Sequence, residues 1–154
     1  MFFLNEHYFN NKVDFYLLDG TRIEEKVFYM FEGKGAFYNS LDVAREVLMD
    51  NKIRKDKIHL IEANDDNDIK ITNEKMDLVI SLISWGFHYP VETYLDKVSN
   101  LLSEEGTIIM DIRKNTNGID VIKQKFSKFD IIFETPKYQR VSLCSSELRM
   151  NSIS

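Results

Sequence analysis

Three short segments hold the residues whose types could do chemistry. Asp19 closes an apolar run and is followed at once by Gly20, a turn signal. A carboxylate there can accept hydrogen bonds from both hydroxyls of a ribose, or it can be a solvated turn residue. Glu62 and Ala63 close a second apolar run, IHLIEA. Glu62 could accept from an exocyclic amine such as adenine N6, or be an ordinary polar strand end. The third segment, Ser84 to Pro90 (SWGFHYP), gathers the only Trp, one of three His, a Gly and a Tyr. Aromatics in such a place can stack on a base or wall a pocket, and His88 can take a proton from a hydroxyl near neutral pH. The same residues also suit a plainer role, with Trp85 and Phe87 in the core and His88 structural. Asp111 and Arg113 form a fourth, smaller group that reads as an ion pair or as contacts to a charged ligand.

Other chemistries lack their residues. His7 and His59 have no partners at metal-ligand spacing, and no Cys/His cluster occurs, so no metal site is expected. There is no Walker-type loop and no nucleophile elbow. Gly33-Lys34-Gly35 precedes no suitable strand-to-helix turn and reads as a simple turn.

The elements that must position these residues alternate in type. Val13 to Leu18 and Ile58 to Ile61 are strand-length apolar runs. Between them, Asn39 or Ser40 can cap a helix carrying Leu41, Ala44 and Leu48 at helical spacing. Met76 to Ile83 (MDLVISLI) is nearly continuous apolar sequence, as expected of a strand covered on both faces. Ser84 to Pro90 follows as a loop. Pro90 suits the first turn of a helix whose stripe is Val91, Tyr94, Leu95, Val98, Leu101 and Leu102, and Glu105-Gly106 ends it. Thr107 to Ile112 is a strand and Gly118 to Lys128 a helix. Ile131 to Glu134 and Tyr138 to Ser145 are two strands that can pair antiparallel around Pro136-Lys137. The order predicts an α/β fold with a mostly parallel sheet and an antiparallel C-terminal edge. Ligands of such sheets bind beyond the carboxyl ends of the strands, where Asp19, Glu62, Ser84 to Pro90 and Asp111 all fall.

Composition bounds the rest. The chain has 154 residues, 44% apolar and 29% charged, with no linker and no repeat, which predicts a single domain over residues 1–154. No run of about 18 apolar residues suggests a membrane span, and the opening residues do not resemble a secretory signal. With Cys144 as the only cysteine, a reducing, cytoplasmic setting is expected. A net charge of −5 argues against nucleic acid as a partner.

With these strand ends in view, the sequence resembles the class I S-adenosylmethionine-dependent methyltransferases. The matching pieces are FYLLD (Phe15 to Asp19), IHLIEA (Ile58 to Ala63), MDLVISLISWGFHYP (Met76 to Pro90) and YLDKVSNLLSEEGTIIMDIR (Tyr94 to Arg113), then the antiparallel end. The resemblance implies a Rossmann-like fold with S-adenosylmethionine as cofactor. It implies cofactor contacts at Asp19 for the ribose and Glu62-Ala63 by the adenine. Ser81, Ser84 and Trp85 would border cofactor and substrate, and His88 is the candidate base for a small-molecule hydroxyl acceptor. The family's first strand and Gly-rich turn should precede Asp19. Only 18 residues do, without a glycine, and Phe2 to Phe9 look like the tail of the following helix. The resemblance therefore implies a fold lacking its first β-unit, normally central in the sheet. An interior gap of that kind leaves backbone groups unpaired at about 1–3 kcal/mol each. A homo-oligomer, or a complex with a chain filling the missing strand, is the expected remedy. The alternative to an active enzyme is a non-catalytic, methyltransferase-like subunit.

Overall fold

The computed structural model describes residues 1–8, 12–20, 40–71 and 73–149. Phe9, the Gly33-Lys34-Gly35 turn and the alternative cap Asn39 lie outside the described residues. The chain divides into two compact units, Met1–Lys70 and Ile71–Ser154. The described elements form an α/β fold, parallel at its core strands and antiparallel at the C-terminal end.

In the first unit, α1 (Phe2–His7) precedes β1 (Phe15–Asp19), α2 (Leu41–Asp50) and β2 (Ile58–Glu62). Ser40 caps α2 by accepting a hydrogen bond from the Val43 N–H, at 3.2 Å, which satisfies one of the amides a helix start leaves open. The parallel register runs Phe15 against Ile58 through Asp19 against Glu62. Phe15, Leu17, Leu41, Ile53 and Ile58 make the buried cluster, with Leu4, Val13, Ala44, Leu48 and Leu60 packed around it. The alternation of Phe15 and Leu17 places one face of β1 on this core.

The second unit is a four-stranded sheet in the order β3 (Met76–Ser81), β5 (Leu102–Arg113), β7 (Tyr138–Cys144), β6 (Asp130–Glu134). β3 runs parallel to β5, whereas β7 is antiparallel to both of its neighbours. The final hairpin closes as expected, with the Thr135 N–H donating to the Tyr138 carbonyl at 2.9 Å. β5 is an inner strand, and Ile108, Met110 and Ile112 on it are essentially inaccessible. Val141 and Leu143 of β7 and Ile122 of α4 (Gly118–Lys125) bury equally, together with Phe126 just past that helix.

Four details depart from the sequence expectation. Ser84 to Tyr89 is a strand, β4, rather than a loop; it has no ladder partner among the described residues. The helix after Pro90 is shorter than its stripe. A single 3-10 turn at Val91–Thr93 leads into α3 (Leu95–Leu101), and β5 starts at Leu102. Gly106, expected to end the helix, lies inside β5, where a Cβ would stand 2.6 Å from the Met76 carbonyl oxygen. Close strand approach, not helix termination, requires that glycine. Finally, β3 is not covered on both faces, because Leu78 and Ile80 are 37% and 48% exposed. Its one ladder partner among the described residues is β5. Among the described residues no helix is long and apolar enough to cross a membrane.

Candidate functional site

The register of β1 and β2 brings Asp19 and Glu62 side by side at the carboxyl ends of two parallel strands. Register partners on neighbouring strands share a face at a spacing of about 4.8 Å. Ala63 continues the pairing, its N–H donating to the Asp19 carbonyl at 2.8 Å. The Asp19 carboxylate accepts one local hydrogen bond, from the Gly20 N–H at 2.8 Å. Although Asp19 as a residue is exposed, crowding of its carboxyl raises the pKa above the ordinary value of 3.8. The Gly20 N–H pulls it back, and the charge of Glu62 adds to the rise. Two adjacent carboxylates of this kind favour ligands that bring hydroxyl or amine donors.

In the second unit, the turn from β3 to β4 carries Ser81, Ser84 and Trp85, with His88 further along β4. Ser81 donates its hydroxyl to the Trp85 carbonyl at 3.2 Å, which ties the two ends of the turn together. Trp85 takes the core role. It is 6% exposed and its indole N–H donates to the Val91 carbonyl at 2.9 Å. Ser84 and His88 are exposed. The structure thus brings Asp19, Glu62 and Ala63 together in one unit and Ser81, Ser84, Trp85 and His88 together in the other. No group of three or more metal-binding side chains occurs among the described residues. A small hollow lined by Lys128, Asp130, Ser142 and Cys144 contains none of these site residues.

The residue that sequence reasoning underused is Asp111. It is fully buried and bonds Arg140, not Arg113. Arg140 donates Nε to one carboxylate oxygen at 2.7 Å and Nη2 to the other at 3.0 Å. That second oxygen also accepts the Ile83 N–H at 3.1 Å, so a buried charge on β5 clamps the β3–β4 turn. Ile83 has φ +51°, a left-handed conformation that a β-branched side chain rarely adopts. Gly86, two residues beyond Ser84, has φ +89°, and a Cβ there would stand 2.7 Å from the Asp111 carbonyl oxygen. The turn is thus bent sharply against β5 while its tip, Leu82 to Ser84, stays exposed.

Strain at Ile83 is testable. A left-handed non-glycine residue costs about 1–3 kcal/mol, and glycine would relieve it while adding about 0.4–1 kcal/mol of unfolded-state entropy. With the side chain 48% exposed, Ile83→Gly is expected to stabilise the protein by about 1 kcal/mol in urea unfolding. A lower midpoint than wild type would show that the isoleucine contacts outweigh the strain.

No sequence-family profile and no curated protein matches the chain. Among solved structures, an rRNA methylase from Streptococcus thermophilus is similar. The TM-score is 0.52 at 14% identity, over 88% of this chain and 74% of that one. At this identity the likeness shows the fold alone. The fold is Rossmann-like, a mixed α/β arrangement with parallel core strands.

Proposed function

We propose that the chain is an S-adenosylmethionine-dependent methyltransferase acting on a hydroxyl or similar acceptor of a small molecule. The observation that supports this reading most is the pairing of Asp19 with Glu62 at adjacent strand ends in a methyltransferase-like fold. The two acceptors fit the nucleoside part of that cofactor, whose ribose hydroxyls and adenine amine are donors. Asp19 would accept from the ribose hydroxyls and Glu62 from the adenine amine, with Ala63 leaving room beside them. Bound there, the cofactor supplies an electrophilic methyl group. The carboxylate of Asp19, crowded and facing a second anion, is relieved by hydroxyl donors, which favours such a ligand electrostatically.

In this reading Ser81 and Ser84 border both cofactor and acceptor, and His88 is the base. His88 takes the proton that a hydroxyl loses on methylation, and Trp85, buried under the turn, positions its neighbours by packing. The single Cys144 keeps the proposal in a reducing, cytoplasmic setting.

One observation favours a second reading, a methyltransferase-like subunit without activity. β3 exposes Leu78 and Ile80 and has one ladder partner among the described residues. A strand with such a face can take a further strand from a second copy or from another chain. Isothermal calorimetry with S-adenosylmethionine decides between the two. Saturable heat at a 1:1 ratio is expected of the enzyme. Absence of heat, with the chain travelling as a stable complex in light scattering, selects the subunit.

A further inference from the structure

One end of the second unit carries an aromatic and cationic surface of which the reading above uses His88 alone. Phe133 of β6 is 50% exposed, and its ring lies 6.2 Å from that of Tyr138 at the start of β7. Tyr138 meets Phe87 of β4 edge to face at 6.0 Å, and Phe87 in turn meets His88 at 5.1 Å. The four rings form a continuous row from one edge of the sheet to β4. Two guanidinium groups lie against it. Arg113 sits 5.6 Å from the centre of the Phe87 ring, and Arg140 sits 5.6 Å from Phe133 and 6.0 Å from Tyr138.

Charge gathers at the same place. Lys114 follows Arg113, and its N–H donates to the carbonyl of exposed Lys137 at 2.9 Å. The cations of Arg113, Lys114, Lys137 and Arg140 accompany two carboxylates. Asp111 is bonded by Arg140, and Glu134 is bonded by Lys114 at 2.7 Å. A chain with net charge −5 thus concentrates positive charge beside exposed Phe133 and half-buried Tyr138 and Phe87 at the carboxyl end of β5, where α/β sheets bind ligands. Aromatic faces take a planar ring by stacking, and nearby cations take an anion attached to it. A purely acidic partner would use the cations without the rings. An uncharged aromatic would use the rings without the cations.

We propose that this row is a binding site for a nucleoside phosphate, whose base stacks on the exposed Phe133 ring and whose phosphate is held by the Arg113–Lys137 side. The inference names the acceptor class for the methyl transfer proposed above and rests on that reading for its catalytic meaning. The ligand is a free nucleotide; the unpaired end of a polynucleotide offers the same base and phosphate chemistry, and the test separates the two.

The test uses the full chain with AMP in calorimetry and a fluorescein-labelled single-stranded adenine oligonucleotide in anisotropy. Phe133→Ala is expected to weaken binding by about tenfold, because base stacking on one aromatic is worth about 1–3 kcal/mol. Lys137→Gln is expected to weaken it less and to flatten its dependence on salt between about 50 and about 200 mM. An effect of Phe133→Ala on AMP identifies the free nucleotide as ligand, and an effect on the oligonucleotide alone identifies the polynucleotide end. Neither probe binding, or both binding Phe133→Ala as well as wild type, overturns the proposal. Phe133 is half exposed, and unchanged thermal unfolding of the variant separates binding from folding. Cofactor calorimetry on the same samples is read separately. Nucleotide binding without cofactor binding supports this site and sinks the methyltransferase reading; the reverse result sinks the site alone.

Discussion

Asp111→Ala is expected to destabilise the protein by about 3 kcal/mol in urea unfolding. The carboxylate is wholly buried and holds three donors, two from Arg140 and one from Ile83. Its removal leaves a guanidinium and a backbone N–H without their acceptor, and the full desolvation penalty of each then counts against the folded state. Breaking a buried pair costs about 3–5 kcal/mol. The Arg140 side chain is 26% exposed and can turn partly toward water, which sets the expectation at the lower end of that range. In thermal unfolding the loss corresponds to roughly 6–12 °C for a chain of this size. The double variant with Arg140→Leu is expected to recover part of the loss, since the unpaired cation is then gone. A loss below about 1 kcal/mol would place the pair among ordinary surface bridges and remove the clamp on the β3–β4 turn.

Asp111 also shows where sequence reading runs out. Its apparent partner along the chain was Arg113, two residues on and therefore on the same face of a strand. Its actual partner, Arg140, sits directly opposite it in the antiparallel ladder of β5 and β7, a neighbour that only the register reveals. The same limit explains β4. In Ser84 to Tyr89 the glycine and proline punctuation suggested a loop, yet Gly86 supplies a left-handed kink within a strand pressed against β5. Gly106 misled in the opposite direction, because close packing on Met76 has the same residue signature as a helix end. What was legible was local and periodic. The apolar runs ending in Asp19 and Glu62 and the hairpin around Pro136 form the elements their patterns imply, and the helix expected over Gly118 to Lys128 forms but stops at Lys125, where Phe126 turns to extended backbone. The adjacency of Asp19 and Glu62 follows from two parallel strands of equal length that each end on an acidic residue. The aromatic row was not legible, because Phe87, Phe133 and Tyr138 come from three strands and meet only through tertiary packing.

Asp19→Asn is expected to lower affinity for S-adenosylmethionine by ten- to a hundredfold while making the unliganded protein more stable at neutral pH. The two effects have one cause. Burial and the neighbouring Glu62 hold the Asp19 carboxyl above its ordinary value, so its ionised form is disfavoured in the folded chain. Between the unfolded value of 3.8 and the raised folded value, the native state binds more protons than the unfolded one. Stability contributed by this group therefore falls as pH rises through that window, and the penalty is complete above it. Asparagine carries no charge and keeps an oxygen for the Gly20 N–H, so the penalty disappears with little else disturbed. The stability gain over wild type should be full at pH 7 and vanish below about pH 3.8, the ordinary carboxylate value. On the ligand side, one oxygen replaces two and a neutral acceptor replaces a charged one. Hydrogen bonds to a charged group are worth about 1.5–3 kcal/mol, which is the expected loss in affinity. Thermal unfolding across pH and calorimetry on the same variant check both halves. A stability gain with unchanged cofactor affinity would leave Asp19 as a strained strand end outside any binding site. A loss of affinity without the gain would assign it to the ligand and show that neither burial nor Glu62 disfavours its ionised form.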